Sequence, residues 1–309
     1  MESAMTDRGI RHVLVPVDFS EASAAALQAG AAIARRFGAR LTLLHIEIAS
    51  SVFVEALAGT ETPADLEAAI ERHRDALQDR SDAFARRALA DDLEFQAVVL
   101  DSNFVGETIV RYAEDHDVDW ICMGATGHRA IERLVLGDVA AEVLHHTHVP
   151  VLTMRARKNR GADLGLASLL VAVDLSEGSR ELVESAAALV QPGGRLTLMH
   201  VVEGGEARGL YSVPLEVPVE NMNAVVEWCD VALRQLAEQC GVDAADSPRV
   251  VVGRPGASIL AVEKELQPDV TVVGTHGRHG MERLMLGSVA ERVARRATGP
   301  VLVIPNRVE

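Results

Sequence analysis

Short apolar runs punctuate the chain at regular intervals and alternate with longer amphipathic stretches. In the first half the runs fall near residues 11–17, 40–46, 94–100, 118–123 and 149–154. Each is rich in Val, Leu and Ile and lacks strict two-residue alternation, the pattern of a parallel strand covered on both faces. The stretches between them are Ala-rich or charged and long enough for the crossover helices that parallel strands require. The second half repeats the pattern near 168–173, 195–201, 249–252, 269–273 and 300–304. Ser20 and Ser176 stand where an N-cap opens the first helix of each half. The predicted architecture is α/β and doubly wound, present twice.

The repetition extends to the residues themselves. HVLVPVDFSEAS returns as LLVAVDLSEGS, LTLLHIE as LTLMHVVE, and VPVLTM as GPVLVI. Segment 124–154 aligns with 274–304 without a gap, with 13 identities in 31 positions. The chain is an internal duplication. The expected organisation is one domain over 1–154, a basic, Gly-containing linker over 155–167 and a second domain over 168–309. Two irregular segments, 50–63 and 204–218, follow the second strand of each copy and read as surface excursions or flaps. The charged stretch 64–90 reads as a helix with a solvated face.

Composition narrows the partners. Aromatic residues make up 3% of the 309 positions, so Ala, Val and Leu must fill the cores. The net charge of −15 argues against a nucleic-acid backbone or an anionic membrane as the main partner. An anionic ligand must then be held by local backbone dipoles. The start of the chain lacks the apolar stretch of a signal peptide, and no segment offers about 20 uninterrupted apolar residues, so a cytoplasmic location is expected. The three cysteines, Cys122, Cys229 and Cys240, lack metal or redox spacing, and Cys122 reads as a core residue.

The fourth strand of the second copy ends in Gly274-Thr275-His276-Gly277, and Gly287-Ser288 follows at the start of a helix. This G-x-x-G-x9-G-S spacing places glycines where a ligand approaches the backbone, and first-turn amides where they face an anion. Asp174, at the end of the first strand, lies on the same carboxyl edge and suits a ribose hydroxyl; its alternative role is an Asx-turn, as for Asp18. His45 and His200 end the second strands and read as histidines that pack and bond locally rather than as catalysts. The cluster His145, His146 and His148 reads as helix-end histidines rather than a metal site. Arg278 and His279 follow Gly277, where they suit either a phosphate contact or a solvated loop; Arg133 and Arg283, in the shared ERLxLG, suit an ion pair or a phosphate contact.

Together, V-x-V-D-x-S, the LxLxH strand, the glycine signature and the closing PVLV strand resemble the universal stress protein family in its tandem form, over essentially the whole chain. The resemblance implies a five-stranded parallel sheet of order 3-2-1-4-5 in each copy and ATP as ligand, with ADP or AMP as alternatives and with or without Mg. It implies contacts in copy two from Ala172, Val173, Asp174, Val201, Val273, Gly274, Gly277, Arg278, Gly287, Ser288, Val289 and Ala290. The matching positions of copy one, a weaker site, are Pro16, Val17, Asp18, Ile46, Met123, Gly124, Gly127, His128, Gly137, Asp138, Val139 and Ala140. Copy one departs from the pattern at Asp138, where the family has Ser or Thr. A carboxylate there is expected to cap its own helix and to repel a phosphate unless a divalent cation bridges them. In similar proteins the closing strands pair across a two-fold axis, implying here an intramolecular pseudo-dimer; a further homodimer stays open.

Three functions follow: a nucleotide-binding stress or signalling module; a slow ATPase or autophosphorylating enzyme; or an interaction protein without nucleotide. No P-loop, kinase signature or general base is evident, so hydrolysis is expected to be slow at most.

Overall fold

The computed structural model describes residues 9–49, 62–89, 93–127, 136–155, 164–203, 222–242, 248–275 and 286–305. They form two compact units, one from Gly9 to Leu164 and one from Gly165 onward. The first contains β1 (His12–Pro16), α1 (Glu21–Phe37), β2 (Arg40–Glu47), α2 (Pro63–Ala88), β3 (Phe95–Asp101), α3 (Val105–Asp115), β4 (Trp120–Gly124), α4 (Asp138–His146) and β5 (Val151–Met154). The second contains β6 (Ser168–Ala172), α5 (Ser179–Leu189), β7 (Arg195–Val202), α6 (Met222–Gln239), β8 (Arg249–Val252), α7 (Pro255–Leu266), β9 (Val270–Gly274), α8 (Ser288–Arg296) and β10 (Val301–Ile304).

All pairings within each unit are parallel. In the first, β1 lies between β2 and β4, β3 flanks β2 and β5 flanks β4, which is the order 3-2-1-4-5. The second unit repeats it as β8-β7-β6-β9-β10. The strands therefore wind outward in both directions from β1 and β6, and the carboxyl ends of β1 and β4, or of β6 and β9, flank the switch point. The central strands are buried, as their apolar runs predict, but β3 is only half-buried and carries exposed Gln96. It has a strand neighbour on one side alone within its unit, so the two-sided burial read from its composition does not hold there.

Small residues let helices approach the sheet closely. A Cβ added at Gly30 in α1 would stand 2.7 Å from Val15 Cγ2 and 3.6 Å from Cys122 Cβ. This close seat suits a core short of aromatic residues. Ser20 caps α1 by accepting from Ser23 N at 3.1 Å, and Gly38, at φ 65°, ends the helix in the left-handed region. The α2 helix opens on a capping box between Thr62 and Asp65. It buries Leu77, Ser81 and Ala85, four residues apart, and presents charge elsewhere.

Ser176 does not cap α5. That helix begins at Ser179 with Gly178 as its N-cap, and Ser179 N donates to Ser176 O at 3.0 Å. Glycine disfavours helix by about 1 kcal/mol relative to alanine, and Ala22 occupies the equivalent place in α1. The chain makes a turn before the helix instead.

One carboxylate in each unit ties the start of the first strand to the start of the fourth. Asp119 Oδ2 accepts from Arg11 N and His12 N at 2.9 and 3.0 Å. Asp269 Oδ2 accepts from Ala167 N and Ser168 N, both at 3.0 Å. No helix among the described residues is long and apolar enough to cross a membrane. The expected flaps at 50–63 and 204–218 and the expected linker at 155–167 lie mainly outside the described residues.

Candidate functional site

The carboxyl ends of β1 and β6 carry the same construction. Asp18 Oδ1 accepts from Ser20 N at 3.1 Å and from Ser20 Oγ at 2.5 Å. Asp174 Oδ1 accepts from Ser176 N at 3.0 Å, Ser176 Oγ at 2.6 Å and Ser179 Oγ at 3.0 Å. The Asx-turn reading of both residues holds, and one oxygen of each carboxylate is committed to it. The residue after each aspartate adopts left-handed backbone: Phe19 at φ 62° and Leu175 at φ 61°. For side chains of this kind that conformation costs on the order of 1–3 kcal/mol. The same strain in both copies, beside the same aspartate, marks the turn as one that the surrounding contacts enforce. Nothing in the residue type signals it; only the repeat hints at it.

The second strands hold this turn from one side. Val17 N donates to Leu44 O at 2.9 Å, and His45 Nδ1 lies 2.9 Å from Val17 O. In copy two Val173 N donates to Met199 O at 2.9 Å, and His200 Nδ1 lies 2.8 Å from Val173 O. A carbonyl oxygen only accepts, so Nδ1 carries the proton in each case. Both histidines are buried and bond locally, as expected.

The surroundings of the two histidines differ. His45 Nε2 lies 3.3 Å from Glu47 Oε2, a charged contact only when the ring is protonated. Phe19 packs on His45 with ring centroids 4.5 Å apart and the rings tilted by 40°, meets Phe84 edge-on and lies under the Arg80 guanidinium. Copy two has Val202 where copy one has Glu47, and there Leu175 packs on the cluster of Val202, Val225 and Cys229. The paired strand-end residues Glu47 and Asp101 correspond to Val202 and Val252.

On the other side lie the fourth-strand ends and the following helices. A Cβ at Gly124 would stand 3.1 Å from Ala22 Cβ and 3.2 Å from Ser23 N, so glycine lets the first turn of α1 seat against the end of β4. A Cβ at Gly127 would stand 3.0 Å from Asp18 Oδ2, which brings the first and fourth strand ends of copy one together. Gly137 N donates to Ala125 O at 2.8 Å, and Gly287 N to Thr275 O at 2.7 Å.

The helices beyond open without a capping side chain. Gly137 (φ −68°, ψ 153°) and Gly287 (φ −62°, ψ 146°) are the N-caps of α4 and α8, and neither cap receives a side-chain hydrogen bond. The N-cap glycines offer the first-turn amides of residues 138–140 and 288–290 no side-chain acceptor. The expectation that Asp138 caps its own helix is thus corrected. Gly137 occupies the cap and its carbonyl already accepts from Ala141 N at 2.9 Å, which leaves Asp138 as the first helical residue. Its charge still lies at the positive end of the helix dipole, so the electrostatic part of the expectation survives.

Pro16, Val17, Met123, Ala140, Val173, Val201, Val273 and Ala290 are buried at these edges, while Ala172, Gly124 and Gly274 are partly open and Asp138 is exposed. Ile46 is buried at the end of β2. Gly277, Arg278, His128, Arg133, His279 and Arg283 lie outside the described residues. His146 Nδ1 lies 2.8 Å from Glu142 O, a bond to its own helix end. Among the described residues no group of three or more His, Cys, Asp or Glu side chains is arranged to hold a metal ion.

The model of the universal stress protein family matches the chain twice, over residues 9–155 and 167–305. A universal stress protein of Mycolicibacterium smegmatis is 28% identical over 99% of this chain and 100% of its own length. Universal stress protein A homolog 1 of Coxiella burnetii is 32% identical over 44% of this chain and 94% of its own. The crystal structure of a universal stress protein from Archaeoglobus fulgidus has the same fold, with a TM-score of 0.65 and 21% identity, covering 96% of this chain and 97% of that one.

Proposed function

The chain belongs to the universal stress protein family as a tandem of two family domains, and on that premise we propose that it is an adenine-nucleotide-binding protein of stress response or signalling. ATP, with or without Mg, is held chiefly by the second copy. The observation that carries this reading is the start of α8: a helix N-terminus without a capping side chain, opening on Gly287-Ser288 beside the end of β9. Three first-turn amides and the Ser288 hydroxyl suit phosphate oxygens there, and the helix dipole favours their charge. Ala172, Val173 and Asp174 supply the opposing strand end, Val201 the base side, Val273 and Gly274 the near wall, and Val289 and Ala290 the phosphate side; Gly277 and Arg278, outside the described residues, join this set by motif position alone.

Copy one keeps the scaffold but sets Asp138 at the first helical position, so it is proposed as the weaker or altered site. ATP there faces a carboxylate within the turn that would otherwise favour an anion.

Denaturing the purified full-length protein and identifying the released small molecules by chromatography tests this function. Recovery of an adenine nucleotide, together with a thermal shift on adding Mg·ATP, supports it. Absence of both removes it and leaves the interaction-protein reading. Turnover above a few per minute that disappears in Ser288→Ala would establish the enzyme instead.

A further inference from the structure

We infer that His200 is a positioning residue of the nucleotide site, acting through the peptide that joins Val173 to Asp174. The inference rests on the proposed nucleotide function of copy two. His200 is buried at the end of β7, and its Nδ1–H donates to the Val173 carbonyl at 2.8 Å. Val173 N also donates toward β7, to Met199 O at 2.9 Å. Both polar groups of Val173 are therefore held on the β7 side. In a planar trans peptide the carbonyl and the following N–H point in opposite directions. With the Val173 carbonyl clamped, Asp174 N–H is directed away from β7, toward the side on which β9 and its glycines end.

Copy one shows what this orientation accomplishes, because its loop after β4 is described as far as Gly127. His45 holds Val17 O at 2.9 Å, and the following aspartate, Asp18, brings Oδ2 to within 3.0 Å of where a Cβ at Gly127 would stand. The histidine on one side of the strand thus sets where the aspartate on the other side meets the glycine turn. The Asp174 turn carries left-handed backbone at Leu175, a conformation that a leucine side chain disfavours and that a restraint from the neighbouring strand helps to hold. Ser176 and Ser179 fix the carboxylate from within the turn, whereas His200 fixes the peptide from the neighbouring strand.

The test separates the donor from the bulk of the ring. Asn places its amide nitrogen where His places Nδ1, whereas Leu fills the space without a donor and Gln carries its donor one carbon further out. Titration of the full-length protein with Mg·ATP is expected to show His200→Leu and His200→Gln weakened about fivefold to tenfold, the effect of losing one buried hydrogen bond. His200→Asn is expected within about twofold of wild type. The Asp174 amide resonance without nucleotide is expected to move in the Leu variant and stay in the Asn variant. Wild-type affinity in Leu or Gln, or equal losses in Asn and Leu, would overturn the inference; if Leu fails to fold, Gln against Asn decides. Should wild type bind no nucleotide, the proposed function fails separately, and an unmoved Asp174 resonance in the Leu or Gln variant overturns the clamp on its own.

Discussion

Gly287 N donates to the carbonyl oxygen of Thr275 at 2.7 Å, and a Cβ at 287 would stand 2.6 Å from that same oxygen. The chain's own backbone therefore demands glycine at this position. At the matching Gly137 the closest described atoms, Ala125 O and Gly127 N, would lie 3.6 Å from a Cβ, an ordinary contact. Its φ of −68° suits any residue. Gly287→Ala is expected to destabilise the protein by about 2 kcal/mol through backbone displacement. Gly137→Ala is expected to change stability by less than about 0.5 kcal/mol. Urea denaturation of the two variants checks the contrast; equal losses would show that the two turns are alike.

Exchange of the residue after each glycine tests the asymmetry between the copies. Asp138→Ser is expected to raise the affinity of copy one for Mg·ATP, and Ser288→Asp to lower that of copy two by about tenfold. The reason is a charge at the first helical position that opposes the phosphate. Titration calorimetry resolves both. If the first gains nothing and the second loses nothing, the helix-terminus charge does not distinguish the sites.

Acid stability is expected to depend on His12. Burial lowers the pKa of its ring below the usual 6.5, and the adjacent Arg40 guanidinium adds to this. Nε2 lies 2.9 Å from Thr42 Oγ1, while Nδ1 lies 3.0 Å from the His116 carbonyl oxygen and 2.9 Å from Arg40 Nη2. The unfolded chain binds the proton more readily than the folded one, so this contribution to stability is whole above pH 6.5. It declines as pH falls from there toward the folded value, by at most about 1.4 kcal/mol per pH unit. The urea midpoint of His12→Gln should accordingly fall less than that of wild type between about pH 7.5 and about pH 5.5. Equal acid slopes would remove His12 from the account.

Glu263 is a buried carboxylate in α7 that accepts from Thr298 Oγ1 and Gly299 N at 2.8 Å each and from Thr298 N at 3.1 Å. It secures the turn that leads from α8 into β10. Glu263→Leu strands those donors and is expected to cost roughly 3 kcal/mol. Glu263→Gln, which retains an acceptor, is expected to cost about half as much. Thermal unfolding that finds Leu and Gln equivalent would assign the loss to packing rather than to the hydrogen bonds.

Much of the site was legible because it is written in local signals. Apolar runs without alternation mark β1, β4, β6 and β9 as covered strands, and Gly-x-x-Gly followed by Gly-Ser marks the turn proposed to face a ligand. Two expectations failed for reasons of backbone placement. Ser176 lost its cap because Gly178 weakens the first turn, and Asp138 lost its cap because Gly137 already occupied that place. The Glu263 tie and the paired roles of Asp119 and Asp269 have no local signature beyond the shared position of the two aspartates in the repeat.

Sequence alone determined that one α/β unit occurs twice, where its strands lie, and which copy breaks the glycine-serine pattern. These properties follow from residue periodicity and turn chemistry acting over a few neighbouring positions. Tertiary structure decided which distant groups meet: Asp18 against Gly127, His200 on the Val173 carbonyl, Glu263 beneath Gly299, and left-handed backbone at Phe19 and Leu175. Such contacts depend on the register of paired strands and the seating of helices on the sheet. Those arise only when the whole core packs at once, so no single segment encodes them.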